Sequence, residues 1–372
     1  MTKLIHVTSP FLPDIGAFTK KLEKIWISRI LTNSGELHCE LEKQLIKILG
    51  ISEISLINNG TIALQIALTA FRLKGQVITT PFSFVATANS ILLSGLEPVF
   101  VDIEDNSFNI DPELIEKTSQ FKTSAIMPVH VYGLPCDKER IEEFAGNRGL
   151  KVIYDAAHAF NVRRKGESIL NWGDCSVLSF HATKVYHTFE GGGIVTSNVE
   201  YKDAFDKLRN FGFSQGDVEI CGTNGKMNEA QAAMGLALLP HIDDVINMRK
   251  LRHNQYCDRL RDLHGITVPS IPSNVDHNYG YFPILMELDS SVSRDTLFDM
   301  LQRNGIFARK YFFPLITDFT LYMSFKIISK HKVSNARRIA DRVLCLPLYP
   351  DLTESDVDRI CNVIRQSFKR KQ

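Results

Sequence analysis

With 372 residues, 44% of them hydrophobic and 23% charged, the chain has the length and composition of a globular protein of about two domains. Its 43 Lys and Arg residues nearly balance 42 Asp and Glu residues, and a net charge of +1 argues against a nucleic-acid partner, which requires a clustered basic face. No apolar run is long enough to span a bilayer and the first residues do not resemble a signal peptide, so we expect a cytoplasmic protein with no membrane partner.

The seven cysteines are scattered along the chain and form no CxxC pair. This distribution predicts buried thiols in a reducing compartment rather than a disulfide framework. It also argues against a zinc site, and we expect no metal.

Short apolar runs alternate with helical patterns over the first two-thirds of the chain. The runs predict strands at 55–58, 76–80, 97–103, 124–130, 150–155 and 175–180. Between them, 62–71 and 138–149 have the apolar spacing of helices. Such alternation implies a mostly parallel sheet covered on both faces, which is an α/β fold.

The pattern changes after about residue 240. A long polar helix over 241–263 is followed by shorter strand and helix signals from Gly265 onwards. We therefore predict a large domain over 1–245 and a smaller C-terminal α+β domain over 246–372. Because no Pro/Gly-rich linker separates them, we expect the two domains to pack closely.

The first candidate site is NNGTIALQIAL (58–68), where a predicted strand ends and a helix begins. The free backbone N–H groups of a helix start, together with the Thr61 hydroxyl, form an anion site. The alternative is that Thr61 only caps the helix.

The stretch TTPFSFVATANS (79–90) places Phe82 and Phe84 just after a predicted strand. Such aromatics usually belong to the core, but one of them could stack on a flat cofactor ring.

In KVIYDAAHAF (151–160), Asp155 ends an apolar strand, at the edge where open α/β sheets bind ligands. A carboxylate there could hold a protonated ring nitrogen, or it could cap the next segment. His158 could lie beside Asp155 or be an ordinary core histidine.

In LSFHATKVYHTFEGGGIV (178–195), Ser179 and Lys184 lie at and just beyond the end of the next strand. A lysine partly desolvated there has a lowered pKa and can attack a carbonyl. The glycines at 191–193 would let the backbone pass close to a ligand or partner chain, but they match neither a dinucleotide fingerprint nor a P-loop.

Together these stretches supply an anion anchor, an aromatic plate, a carboxylate and a lysine, all at predicted strand ends. Pyridoxal 5'-phosphate needs these four parts, because its phosphate, ring, ring nitrogen and aldehyde each require a partner.

The sequence resembles the DegT/DnrJ/EryC1/StrS sugar-nucleotide aminotransferases, which are fold type I enzymes that use pyridoxal 5'-phosphate. Ten stretches across nearly the whole chain carry the resemblance: LTNSGELHCELEKQL (31–45), NNGTIAL (58–64), TTPFSFVAT (79–87), PVFVDI (98–103), PVHVYGLPCD (128–137), DAAHAF (155–160), SFHATK (179–184), EGGGIV (190–195), GTNGKMNEAQAAMGL (222–236) and ARKYFFPL (308–315). The resemblance implies an aspartate-aminotransferase-like fold, with a mostly parallel sheet of the seven-stranded type in the large domain.

The resemblance also implies catalytic roles for three residues. Lys184 binds the cofactor aldehyde and then moves a proton, Asp155 pairs with the ring nitrogen, and His158 faces the side of the ring that carries the 3-hydroxyl group. The other implied ligands are Phe84 for ring stacking, Gly60, Thr61 and Ser179 for the phosphate, Asn224 for the phosphate of the neighbouring subunit, and His181 and Tyr311 for the sugar.

A contact from Asn224 to a neighbouring phosphate implies a homodimer with shared active sites. Departures from the family pattern are Lys226 in place of a frequent arginine, His187 in place of a frequent asparagine, and Gly193 in place of a common alanine. Dehydratase relatives replace the lysine with histidine, so the retention of Lys184 favours transamination.

The chain looks most similar to the dTDP-4-amino-4,6-dideoxyglucose transaminases. The predicted reaction moves an amino group from L-glutamate to C4 of dTDP-4-dehydro-6-deoxy-D-glucose for O-antigen (lipopolysaccharide) biosynthesis, with pyridoxamine 5'-phosphate as the intermediate form of the cofactor. The alternatives are C3 amination of a dTDP-3-keto-6-deoxyhexose and 4-amination of a UDP- or GDP-linked keto sugar. A pseudoenzyme that kept the fold for regulation would have lost Lys184, Asp155 or Ser179, and all three are present. A nicotinamide oxidoreductase would need a glycine fingerprint, which the sequence lacks.

Overall fold

The computed structural model of the chain describes residues 3–105, 107–119, 121–324 and 333–369. In chain order the strands are β1 (Ile5–His6), β2 (Glu53–Ile57), β3 (Gln76–Thr79), β4 (Glu97–Phe100), β5 (Thr123–Ile126), β6 (Lys151–Asp155), β7 (Arg163–Arg164), β8 (Glu167–Ser168), β9 (Cys175–Ser179), β10 (Gly192–Thr196), β11 (Phe213–Ser214), β12 (Asp217–Val218), β13 (Ile266–Thr267), β14 (Val275–Asp276), β15 (Phe282–Met286), β16 (Ile306–Phe307) and β17 (Val343–Leu346).

The helices connect and cover these strands. They are α1 (Ile15–Ser28), α2 (Glu36–Leu49), α3 (Gly60–Ala70), α4 (Ala86–Leu93), α5 (Pro112–Thr118), α6 (Lys138–Arg148), α7 (Val199–Arg209), α8 (Glu229–Leu238), α9 (Ile242–Leu260), α10 (Arg294–Arg303), α11 (Thr320–Ser324), α12 (Ser334–Ala340) and α13 (Glu354–Lys369). Short 3₁₀ turns lie at Val131–Gly133, Ile169–Asn171, Leu239–His241 and Ile316–Asp318.

Seven of the described strands form one large sheet in the order β2-β10-β9-β6-β5-β3-β4. The strands β4, β3, β5, β6 and β9 pair in parallel, whereas β10 pairs antiparallel with both β9 and β2. Because β10 is antiparallel to both of its neighbours, β2 points the same way as β9. Six strands therefore end at one edge of the sheet, and β10 begins there.

Successive residues of the central strands face opposite sides of the sheet, and both sides are buried. Val152 and Tyr154 pack in one apolar cluster with α2 and α8, whereas Ile153 packs in another with α3 and α7. This period of two, with apolar residues in both phases, explains why the strands appear in the sequence as continuous apolar runs.

The six predicted strands all exist, displaced at their ends by up to four residues. The strand β10 was missed, because its two leading glycines have low strand propensity and were interpreted only as a flexible close approach. In the structure the glycine run enters a buried strand, and Gly192 lies against the backbone at Asn59 and Gly60 of the same chain.

Beyond the large sheet, β13, β15 and β17 form a separate antiparallel sheet with its own core against α9, α10 and α13. The predicted long helix is α9, and it crosses the predicted domain boundary between residues 245 and 246. The division into two domains at that boundary stays a prediction. Residues 1–2 and 370–372, at the outer ends of the two predicted domains, lie outside the described residues. Phe82 and Cys345, from the two halves, share one buried cluster, so the halves pack closely.

Across the described ranges, the structure contains no helix with the length and apolar character that crossing a bilayer requires.

Replacing Gly192 with Ala should move the start of α3. The added Cβ would lie 2.8 Å from the Asn59 carbonyl carbon and 2.9 Å from the Gly60 nitrogen, both backbone atoms that cannot rotate away. We expect a loss of about 1–3 kcal/mol in the free energy of unfolding, measured in urea. The control is Gly146→Ala in α6, where nothing lies within 4 Å and no loss is expected; equal stability of the two variants would contradict the prediction.

Candidate active site

The edge at which the parallel strands end carries a cavity of about 650 Å³. Nine of the ten predicted site residues line it, namely Gly60, Thr61, Phe84, Asp155, His158, Ser179, His181, Lys184 and Tyr311. Asn224 does not line this cavity. The cavity therefore combines residues that are far apart in the sequence because their strands end side by side.

Asp155 ends β6, and its buried carboxylate is held by two donors. The Thr87 hydroxyl donates to Oδ2 at 2.7 Å, and the Ala157 N–H donates to Oδ1 at 3.1 Å. Because the Thr87 hydroxyl already donates its hydrogen to Asp155, Ser83 is the donor in the 2.8 Å contact between the Ser83 and Thr87 hydroxyls. Burial raises the pKa of Asp155, and these hydrogen bonds and the charge of Lys184 oppose the rise.

Lys184 follows β9 and reaches back into the cavity. Its Nζ donates a hydrogen bond to the Tyr281 hydroxyl at 3.1 Å and lies 5.8 Å from the centre of the Tyr281 ring. Burial of the amine lowers the pKa of Lys184 to about 8, although the charges of Asp155 and Tyr311 act in the opposite direction. The amine is therefore neutral in about a tenth of the molecules at pH 7, far more than for an exposed lysine.

His158 is a neutral hydrogen-bond donor towards the cavity. Its Nδ1 accepts from the Tyr132 N–H at 3.1 Å, so the proton of the neutral ring resides on Nε2. Burial, supported by the nearby charge of Lys184, holds the pKa of His158 well below its usual range. The ring lies parallel to Phe312, with centroids 5.9 Å apart, which fixes its orientation.

The start of α3 supplies the predicted anion site, with a correction to its cap. Asn59, not Thr61, is the N-cap, and its side chain accepts from the Ile62 N–H at 2.9 Å. Thr61 is therefore free of the capping role. Ser179 lies so close to Gly60 that a Cβ at Gly60 would be 3.0 Å from the Ser179 Cβ, which places the serine hydroxyl beside the helix start.

The two aromatics of the 79–90 stretch have different positions. Phe82 is fully buried in a cluster that includes Phe108 and Phe312. Phe84 is 59% exposed and lines the cavity, so it is the one available to stack on a ligand ring.

The predicted sugar ligands lie at the mouth of the cavity. His181 Nδ1 contacts the Thr183 hydroxyl at 2.8 Å, and its Nε2 lies 3.5 Å from Glu190. Tyr311 is half-buried and packs near Tyr281, with ring centroids 6.1 Å apart.

Asn224 lies outside the cavity and is exposed. Its backbone carbonyl accepts from the Asn58 side chain at 3.2 Å. The neighbouring Lys226 donates to Asn210 Oδ1 at 2.7 Å and lies over the Phe211 ring.

A second cavity of about 600 Å³ adjoins the first, and Ser83, Phe84, Tyr311 and Phe312 line both. Its wall is mainly aromatic and carries two cationic residues: His6, Phe84, Phe298, Phe307, Phe313, Phe319, Arg309 and Lys310. Lys310 pairs with Asp295 at 2.7 Å. The exposed guanidinium of Arg309 has no hydrogen bond or ion pair with the residues that the structure describes.

Sequence reasoning missed Thr87 and Tyr281, whose hydroxyls contact Asp155 and Lys184. Thr87 belongs to the stretch TTPFSFVATANS (79–90) and lies in the first turn of α4, after β3. A hydroxyl at that position, following a strand that ends at the ligand-binding edge, could have been predicted to contact Asp155. Tyr281 comes from the C-terminal third of the chain and follows no motif, so only the folded structure places its hydroxyl on Lys184.

Comparison with known proteins identifies the family. The DegT/DnrJ/EryC1/StrS aminotransferase family matches residues 14–365. The dTDP-4-amino-4,6-dideoxy-D-glucose transaminase of Shigella dysenteriae is 48% identical over 367 residues, which are 98% of this chain and all of that protein. The Escherichia coli protein of the same name is 46% identical over 364 residues, 97% of this chain and 98% of its own.

The structure of DesI, determined in the presence of its TDP-sugar product, superposes with a TM-score of 0.95 at 31% identity, covering 100% of this chain and 94% of DesI. The chain belongs to the DegT/DnrJ/EryC1/StrS aminotransferase family, whose members depend on pyridoxal 5'-phosphate. The predicted fold, enzyme class and cofactor are confirmed.

The buried setting of Lys184 predicts the pH dependence of cofactor capture. In protein stripped of cofactor, capture of added pyridoxal 5'-phosphate should rise with the neutral amine fraction and reach half its maximum near pH 8. Stopped-flow absorbance across about pH 6–10 measures this rate, and a free alkylamine corrects for titration of the cofactor itself. Because Asp155 raises the pKa of Lys184, Asp155→Asn should lower the midpoint; a wild-type midpoint near the ordinary 10.5 would contradict the prediction.

Proposed function

We propose that the enzyme transfers the amino group of L-glutamate to C4 of dTDP-4-dehydro-6-deoxy-D-glucose, giving dTDP-4-amino-4,6-dideoxy-D-glucose. The observation that carries amino transfer is the desolvated Lys184 amine in the same cavity as the Asp155 carboxylate. The two relatives above 45% identity, matched over nearly their whole length, support this sugar nucleotide.

The residues of the cavity fit pyridoxal 5'-phosphate. The start of α3, with Thr61 and Ser179, presents N–H and hydroxyl donors suited to the phosphate. Asp155 would face the ring nitrogen, whose positive charge would favour the ionised carboxylate. Phe84 would contact the ring face, and Lys184 would hold the aldehyde carbon.

When bound, the cofactor stabilises negative charge on the substrate carbon that loses its proton. Lys184 receives and returns that proton at Nζ, which its lowered pKa allows near neutral pH. Asp155, held in place by Thr87 and Ala157, keeps a negative charge at the far end of the cavity. His158 offers its Nε2–H as a donor and, being neutral, adds no competing positive charge.

We place the nucleotide part of the substrate in the second cavity. The aromatic wall suits a flat base, and Arg309 suits a diphosphate, because a guanidinium pairs with two phosphate oxygens at once. The residues shared with the first cavity, including Tyr311, would then contact the sugar. His181, which follows β9 and lines the first cavity, would also contact the sugar.

We propose a homodimer with shared active sites. Ile15, Trp26 and Ile27 of α1 are 74–84% exposed, and large exposed apolar groups of this kind favour a protein partner. The exposed Asn224, which does not line its own cavity, would reach the cofactor phosphate of the partner. We also propose that the enzyme acts in the cytoplasm and supplies an amino sugar for surface polysaccharide.

The C3 aminotransferase and the UDP- or GDP-sugar alternatives are not favoured, because both relatives above 45% identity carry the name of the dTDP-sugar 4-transaminase.

A substrate panel tests the reaction. Purified enzyme with L-glutamate and dTDP-4-dehydro-6-deoxy-D-glucose should yield an amine at C4, identified by mass and sugar NMR. Lys184→Ala should bind the cofactor but reduce turnover by at least about a thousandfold, because no other group of the cavity replaces the proton carrier. An amine at C3 would refute the proposed substrate alone, and normal turnover by Lys184→Ala would refute the mechanism.

Arg309→Ala tests the nucleotide site. Loss of the guanidinium should raise KM for the sugar nucleotide about tenfold and leave KM for L-glutamate unchanged, because only the former carries a diphosphate. Steady-state kinetics with each substrate varied in turn measures the two constants. The control is Arg303→Ala, at an exposed position of α10 away from both cavities; equal changes in the two KM values for Arg309→Ala would oppose this placement.

A further inference from the structure

We propose that Tyr281 is a positioning residue for Lys184: its hydroxyl holds the lysine amine in the cavity whenever that amine is free. This inference rests on the proposed function, in which Lys184 takes up the proton that the substrate carbon loses and later gives it up again.

The contact joins distant parts of the fold. Tyr281 immediately precedes β15 of the small sheet, whereas Lys184 lies in the loop after β9 of the large sheet. The distance between Lys184 Nζ and the Tyr281 oxygen is 3.1 Å, and no other hydrogen bond of this amine is seen among the described residues. The C-terminal half of the chain thus supplies the hydrogen-bond partner of the amine.

The Tyr281 ring is held on three sides. Its centroid lies 4.6 Å from that of His158, 5.6 Å from Tyr132 and 6.1 Å from Tyr311. These ring contacts restrict the movement of the Tyr281 ring, and in the position they hold its hydroxyl lies against Lys184. A phenylalanine would keep these contacts and lose only the oxygen.

The backbone before Tyr281 is fixed to the segment that carries His158. The Asn278 amide donates to the carbonyls of His158 and Phe160, at 2.9 Å each, and its oxygen accepts from the Gly280 N–H at 3.0 Å. One asparagine therefore sets the position of the His158 segment relative to the Tyr281 segment. Such a structure holds the tyrosine oxygen at a defined distance from the reacting groups.

The hydroxyl suits both states of the amine. Burial raises the pKa of Tyr281, so the phenol keeps its proton at any working pH. A protonated Lys184 donates to the phenol oxygen, and a neutral Lys184 accepts from the phenol O–H. The amine thus keeps one partner before and after it takes up a proton, and its four-carbon side chain does not have to be repositioned for each transfer.

Tyr281→Phe is the test. We expect kcat to fall about tenfold with both KM values unchanged within twofold, because the substrates are bound by other groups. In protein stripped of cofactor, the maximal rate of pyridoxal 5'-phosphate capture should fall as well, while its pH midpoint stays within about half a unit of the wild type. Rate constants normalised to cofactor-binding sites are independent of the folded fraction, so partial misfolding cannot produce this result.

Tyr279→Phe is the matched control. It removes the same hydroxyl two residues away, from a ring that packs on His253 and His277 and lines a separate surface pocket. It should leave kcat and capture unchanged. If Tyr281→Phe keeps both rates within twofold, or shifts only the KM values, Tyr281 is a packing residue and the inference is wrong. If the wild type fails to capture the cofactor or to aminate the sugar, the proposed function itself fails.

Discussion

A lysine amine has to stay out of bulk water and near a carboxylate, and the rest of the structure serves this requirement. Desolvation makes the Lys184 amine reactive near neutral pH, and Asp155 limits how far its pKa falls. Neither charge would be tolerated there alone, since an uncompensated buried charge is costly. Burial raises the pKa of Asp155, and the Thr87 hydroxyl and the Ala157 N–H add fixed dipoles that oppose this rise.

Strand direction satisfies this requirement with groups from distant parts of the chain. Because β2, β3, β6 and β9 all end at one edge, the helix start, the aromatic, the carboxylate and the lysine meet there without long loops. The reversed strand β10 begins at the same edge, and only a glycine at 192 lets it pass within van der Waals distance of the backbone at Asn59 and Gly60. The close packing of the backbones of β10, of β9 at Leu178 and of the start of α3 therefore shapes the predicted anion site.

The sequence predicts the parts of the site that depend on a single strand end. Asp155, Ser179 and Lys184 could be placed at one edge of the sheet because the carboxyl ends of parallel strands meet there, whereas the role of Asp155 as a cofactor ligand rather than a cap came from the family resemblance. The strand β10 could not be predicted, since its glycines contradict strand propensity and only its pairing with β2 and β9 stabilises it. Tyr281 could not be placed either, because its contact depends on how the small sheet packs on the large one.

The residues proposed for amino transfer and those proposed for binding the sugar nucleotide also come largely from different parts of the chain. Residues that handle the amino group come from the strand ends before residue 200, whereas the second cavity is built largely from 298–319, in the C-terminal part. Lys226 has its own partner in Asn210, so this departure from the family pattern is satisfied without a ligand. The two cavities share Ser83, Phe84, Tyr311 and Phe312. With the nucleotide in the second cavity, as we propose, the contacts of the sugar with these residues would set which carbon faces Lys184. On that proposal, the choice of carbon depends on the part of the wall that the C-terminal part of the chain contributes, and the strand pattern of the large sheet does not determine it.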